Sequence, residues 1–170
     1  MINIFSNKRF LTLSIVFIFG FFLLLLGLGS TGLVDETPPL FASAGRAMSH
    51  SGDLLTPKVN GIFRFDKPPL FYWLMAIFYS IPANESWDEL GSLSARLPSA
   101  LSTLLLMLII ADTVFYSTDN HKDKISLSLI ASLSFVLSPL IIIWSRTAVS
   151  DSLLCATLGV SLLSFWRKIS

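Results

Sequence analysis

Apolar positions in this chain gather into long runs separated by short polar joints. Residues 10–29, FLTLSIVFIFGFFLLLLGLG, carry no charge. A helix of ~20 mostly apolar residues crosses the ~30 Å hydrocarbon core of a bilayer, and this run meets that length. Lys8 and Arg9 precede it, as in a secretory signal. Signal cores run to only ~7–15 residues, so a retained anchor is the better reading. Residues 97–116 form a second span with Asp112 near one end, residues 125–144 an uncharged third, and residues 152–166 a slightly short fourth.

One apolar run is different. Leu70 to Ile81 is flanked by charge and prolines in FRFDKPPLFYWLMAIFYSIP, residues 63–82. As a helix it would be ~18 Å long at ~1.5 Å per residue, too short to cross. Its rings, Phe71, Tyr72, Trp73, Phe78 and Tyr79, suit the membrane–water interface. Pro68 and Pro69 open a helix well and would break one from inside. Residues 69–81 therefore read as a helix lying in or dipping into the interface. A second such helix follows from Thr37, a capping residue, Pro38 in the first turn and Gly52 past the end. Leu40, Phe41, Ala44, Ala47 and Met48 fall on one face. Ser43, Arg46 and His50 fall on the other, the pattern of a helix lying on a membrane.

Basic residues orient the chain. With four spans, the inner segments are NKR (7–9), STDNHKDK (117–124) and RKIS (167–170), each basic beside a span. A crossing at 70–81 would move the last two outside and bring the acidic NESWDEL (84–90) inside, against the positive-inside rule. The four-span reading leaves a long outer loop, residues 30–96, and a short outer turn, residues 145–151.

Composition agrees. The 170 residues are 53% hydrophobic and 14% charged, against about 25% charged in soluble domains. A net charge of +1 gives no nucleic-acid footprint. Cys155, the only cysteine, forms no internal disulfide or metal motif and reads as a small packing residue. His50 and His121 stand alone and read as solvated surface.

Candidate chemistry lies in three charged groups at the outer level. They are Asp35 with Glu36; Arg64 with Asp66 and Lys67; and Arg146 with Asp151. Each has a plain alternative: charge suited to a helix N-terminus, a solvated ion pair, or end-capping and interfacial anchoring. Together, lysine or arginine could hold a phosphate while a carboxylate acts as general base toward a hydroxyl.

Three segments in order carry a resemblance: VDETPPLFASAGRAMSHSGDLLTPKVNGIFRFDKPPLFYWL (34–74), ARLPSAL (95–101) and WSRTAVSDSL (144–153). They resemble the start of the polyprenyl-phosphate-dependent glycosyltransferases of the GT-C class. The nearest likeness is to aminoarabinose transferases that modify lipid A and to the wider protein-mannosyltransferase superfamily. It extends over roughly residues 10–166. The resemblance implies an all-α membrane protein, here an N-terminal GT-C bundle of about four transmembrane helices. The long first loop, with its two interfacial helices, faces outward from the cytoplasmic (inner) membrane.

It also implies a reaction. A glycolipid or protein hydroxyl attacks the anomeric carbon of a polyprenyl-phosphate-linked sugar with inversion, and the lipid phosphate leaves. Asp35 then matches the general base, with Glu36 its neighbour. Asp66 and Lys67 match the donor-site pair behind Arg64, Asp151 matches a later outer-face aspartate important for activity, and Arg146 the arginine ahead of it, which with Lys67 could neutralise the departing phosphate. No metal is required, although the carboxylates could hold a divalent ion. Two departures stand out. Lipid A-modifying members carry an arginine where this chain has Pro38. Members are also several times longer, with about a dozen spans, so the expected partner is a C-terminal portion. The alternatives are a non-catalytic membrane module that binds polyprenyl phosphate, and a simple anchor, which the placement of the charged groups disfavours.

Overall fold

The computed structural model describes residues 2–120 and 123–169, so the reading of His121 falls outside it. In order, the elements are α1 (Ile2–Leu25), α2 (Thr37–Ser51), β1 (Lys58–Val59), β2 (Ile62–Phe63), α3 (Pro69–Tyr79), α4 (Asn84–Trp87), α5 (Ser92–Ser117), α6 (Lys124–Val136), α7 (Pro139–Ser145) and α8 (Asp151–Ile169). Among the described residues the only sheet is the β1–β2 hairpin, with Lys58 opposite Phe63 and Val59 opposite Ile62. Asn60 and Gly61 turn it, both at positive φ, as a two-residue hairpin turn requires. The chain is an all-α, multi-pass membrane bundle. Among the described residues, three helices are long and apolar enough to cross a membrane, and a bent pair makes up to four.

α5 is the central helix. α1 packs on it through Thr12, Val16, Gly20 and Leu24, a buried stripe of positions four apart. That spacing keeps one helix face toward a neighbour. The remaining faces of α1, such as Phe10, Phe17 and Phe22, are exposed apolar surface of the kind a bilayer solvates. α5 meets its neighbours with small residues, including Ser99, Ala100, Thr103 and Ala111, all buried. Small residues let helix backbones approach where lipid supplies no hydrophobic drive. Three of these hydroxyls donate to backbone: Ser102 to the Pro98 carbonyl (2.6 Å), Thr103 to that of Ser99 (3.0 Å) and Ser99 to that of Val149 (3.0 Å).

Helix ends depart from the apolar runs. The run at 10–29 stops being α-helical at Leu25, and Gly27 takes a left-handed φ of 66°. The run at 125–144 is not one straight helix, because α6 and α7 are bent by 67°. Proline lacks an N–H and its ring blocks the carbonyl four residues back. The residue before it is pushed to extended geometry. Ser138 accordingly has ψ 127°, and Pro139 opens α7. Thr37, expected as a cap, is instead the first residue of α2. Glu36 takes the cap position without a side-chain bond. Cys155 is exposed on α8 rather than packed inside.

Ion pairs fix the order of the crossings. Asp112, near the end of α5, accepts from Arg9 Nε (2.5 Å) and Nη2 (2.9 Å) and from Arg167 Nη1 (2.8 Å). The start of α1, the end of α5 and the end of α8 therefore share one level. At the other end, Arg146 reaches the last carbonyls of α1 and Arg96 the chain just beyond them. We call this the loop end. α2 and α3 lie there, packed on the first turns of α5 through a core that joins Phe41, Met48, Tyr72 and Met75 to Ala95 and Ala148.

Candidate functional site

The site is built on α2 and α3, which run parallel. Phe41 meets Phe71 and Tyr72, each with ring centroids 5.3 Å apart. One turn on, Gly45 meets Met75. At the far end, the Ser49 and Ser80 hydroxyls lie 3.0 Å apart. A Cβ on Gly45 would stand 2.7 Å from Met75 Cβ, so only glycine lets the axes come this close. The constant register brings both N-terminal ends to one level. Glu36 immediately precedes α2, and Asp66 and Lys67 precede α3.

Two helix N-termini at one place concentrate positive dipole ends. Here the prolines change the chemistry. Pro38 and Pro39 open α2, and Pro68 and Pro69 lead into α3. Proline has no N–H, so several donors that would otherwise bind an anion are absent. An anion held here would take its direct contacts from side-chain cations. Lys67 is exposed and has no ion pair among the described residues. Arg64 is mostly covered and pairs with half-exposed Asp66 at 2.8 Å. Asp66 also accepts from the Tyr72 hydroxyl at 3.4 Å. Burial holds the Tyr72 phenol above its ordinary pKa.

Asp35 sits where α1's connection turns into α2, at φ 79°. That left-handed region is uncommon for a residue with a Cβ, although Asp tolerates it better than most. Its Oδ1 accepts the Glu36 N–H at 2.8 Å, and the residue is exposed. Among the described residues, no three His, Cys, Asp or Glu side chains converge.

The other two residues lie elsewhere on the loop end. Arg146 turns inward to α1 and forms no ion pair with Asp151 among the described residues. Asp151 opens α8, where its charge suits a helix N-terminus. It lines a cavity of about 290 Å³ with Trp144, Ser152 and Cys155. A second cavity, about 500 Å³, lies between α2 and the residues before α5, lined by Ser43, Arg46, His50, Tyr79 and Gly91. Arg46 stacks over the Tyr79 ring at 5.0 Å. The Tyr79 hydroxyl donates to the Gly91 carbonyl at 2.5 Å, and burial pushes its pKa up to about 12. Neither Arg46 nor Arg96 stands out as a site residue in the sequence. Arg96 lies inside the ARLPSAL segment, which was the available signal.

This membrane bundle carries acidic and basic groups around two parallel short helices at one end, and its likeness to known proteins places it in the GT-C class, N-terminal portion. The chain belongs to the dolichyl-phosphate-mannose-protein mannosyltransferase family, whose model matches residues 66–170. It is 28% identical over 159 residues to the undecaprenyl phosphate-alpha-4-amino-4-deoxy-L-arabinose arabinosyl transferase of Pseudomonas savastanoi pv. phaseolicola, covering 87% of this chain and 26% of that protein. It is 34% identical over 155 residues to an uncharacterized protein of Aquifex aeolicus, covering 90% of this chain and 33% of that protein. The chain thus spans a quarter to a third of the length of these relatives. No solved structure matches it.

Proposed function

We propose that this chain supplies the donor-phosphate end and the general base of a membrane glycosyltransferase acting at the outer face of the cytoplasmic membrane. The observation that carries the proposal is the parallel α2–α3 pair, into which Asp35 and Glu36 lead on one side and Arg64, Asp66 and Lys67 on the other. In this reading the donor is a sugar on a polyprenyl phosphate, with its tail in the bilayer and its phosphate against Lys67 and the two helix N-termini. An acceptor hydroxyl of a glycolipid or protein forms the new bond to the anomeric carbon. The bond from that carbon to the phosphate oxygen breaks, and the lipid phosphate departs with the electron pair. The hydroxyl proton passes to the Asp35 carboxylate, which has no bond to Oδ2 among the described residues. Lys67 stabilises the charge that develops on the leaving phosphate. The acceptor site is assigned to residues outside this chain.

Binding tests the donor half of this reading. Polyprenyl phosphate should bind the chain in nanodiscs, and Lys67→Gln should weaken that binding roughly 10- to 100-fold, since hydrogen bonds to charged groups contribute about 1.5–3 kcal/mol. Equal affinity in the variant would remove Lys67 from the phosphate site. Orientation has its own test. In a Cys155→Ser background, single cysteines at Ser51 and Ser117 should label from opposite sides of the membrane. Labelling from the same side would sink the outward-facing site. The lipid-binding module remains the second reading, because the phosphate-facing groups lie within this chain. Binding by the chain, with no sugar transfer by any assembly containing it, would select that reading.

A further inference from the structure

We infer that Arg96 and Arg146 are positioning residues that hold the connection from α1 to Asp35. An α-helix leaves its last four carbonyls without intrahelical partners. Arg146 takes over at the end of α1. Its Nη1 donates to the carbonyls of Leu23 (2.9 Å) and Leu24 (3.1 Å), and its Nη2 to that of Leu26 (2.9 Å). Arg96 continues the row. Its Nη1 donates to the Leu28 carbonyl (2.7 Å), the Thr31 carbonyl (2.9 Å) and the Thr31 hydroxyl (3.2 Å), and its Nη2 to the Gly32 carbonyl (2.9 Å). Only Leu33 and Val34 then separate the clamped backbone from Asp35.

Two further contacts hold the same stretch. The Ser92 hydroxyl donates to the Gly29 carbonyl at 3.1 Å. A Cβ at Gly29 would lie 2.9 Å from Leu93 Cβ, so this loop is pressed onto the start of α5. Loops usually carry the mobile part of a fold. This one has its carbonyls tied by guanidinium groups from α5 and from the turn after α7, each a planar fork that serves several acceptors at once. The chain leaves that clamp and enters the left-handed turn at Asp35. The arrangement gives Arg146 a role other than direct phosphate contact, because its two terminal nitrogens already face backbone oxygens. The purpose assigned to the clamp rests on Asp35 being the base; the clamp itself does not.

The test uses the whole chain in nanodiscs with Arg96→Lys and Arg146→Lys. Lysine keeps the charge but is a point donor without the fork. Amide hydrogen exchange over residues 27–35 should rise about tenfold or more, as expected when a locally stabilised segment opens, while α5 and α8 keep their protection. Polyprenyl phosphate should bind both variants within about twofold of the parent, as a group that does not touch the ligand predicts. An even rise across the chain, no rise, or a tenfold loss of lipid-phosphate binding overturns the inference. If a lysine variant fails to fold, a nitroxide on Val34→Cys, in the Cys155→Ser background, reads the parent directly. Val34 is exposed, so restricted label motion reports a fixed backbone, and free motion overturns the clamp. Sugar transfer enters none of these readouts, so failure here is distinct from failure of the proposed reaction.

Discussion

Sugar transfer by an assembled enzyme containing this segment is expected to fall about 10²–10⁴-fold on Asp35→Asn, the range that general base catalysis contributes. The substitution is well controlled. Asparagine keeps a carbonyl oxygen in the place of Oδ1, where the Glu36 N–H is bound. It also tolerates the left-handed backbone found at φ 79°. The turn into α2 should therefore survive, and what is lost is the capacity to take the hydroxyl proton. The kcat for transfer should drop while polyprenyl phosphate still binds. Glu36→Gln, one residue away, separates proton acceptance at Asp35 from the general effect of a removed negative charge. Transfer at the parental rate by Asp35→Asn would remove Asp35 as the base and leave the lipid-binding module as the better account.

The second large effect is on stability. Gly45→Leu should destabilise the chain by about 3 kcal/mol, the upper part of the range for overpacking a filled core. The added Cβ would meet Met75 Cβ at 2.7 Å. That neighbour is fixed to its own backbone and has no rotamer by which to leave, so α2 and α3 must separate. In a chain of this size about 3 kcal/mol corresponds to roughly 6–12 °C in unfolding temperature. Thermal unfolding in detergent, followed by circular dichroism, reads it. The same variant should lose polyprenyl phosphate binding, because the register that brings the N-terminal ends of α2 and α3 together depends on that contact. An unchanged midpoint with intact binding would show that the two helices do not meet at Gly45.

Much of this architecture is legible in the sequence because the bilayer imposes a simple length rule. The apolar runs announce the long helices, and the shortness of 70–81 separates α3 from them. Other features were legible but overridden. Pro139 stood in plain view inside 125–144, yet summed hydropathy does not register a missing N–H, and the bend between α6 and α7 follows from that one atom. Asn60-Gly61 between Val59 and Ile62 is a strong hairpin signal, masked by its place in an irregular loop. The ends of α1 were hidden differently, because Gly27 can continue an apolar run while its backbone leaves the helix.

The candidate site was legible as a set of residues but not as an arrangement. Asp35, Asp66 and Lys67 are charges close to prolines, and their assignment as base and donor-site pair comes from the resemblance, not from spacing. That α2 and α3 run parallel is a tertiary fact, decided by Gly45 against Met75 and by Phe41 against two rings. The task of Arg146 was the least readable. An arginine at a span end suits a phosphate and a row of carbonyls equally well, and only the packing of α1 against the α7–α8 turn separates them.

The triad at Asp112 has a consequence for how the molecule is made. Ribosomes deliver the chain from its amino end, so Arg9 is already at the bilayer when Asp112 emerges, more than a hundred residues later. The carboxylate meets a cation on arrival and need not enter alone. Arg167 follows later, near the end of α8. Its bond to the same carboxylate can close only when α8 has turned back along α1 and α5, so the third member of the triad acts as a latch that locks these three helices together.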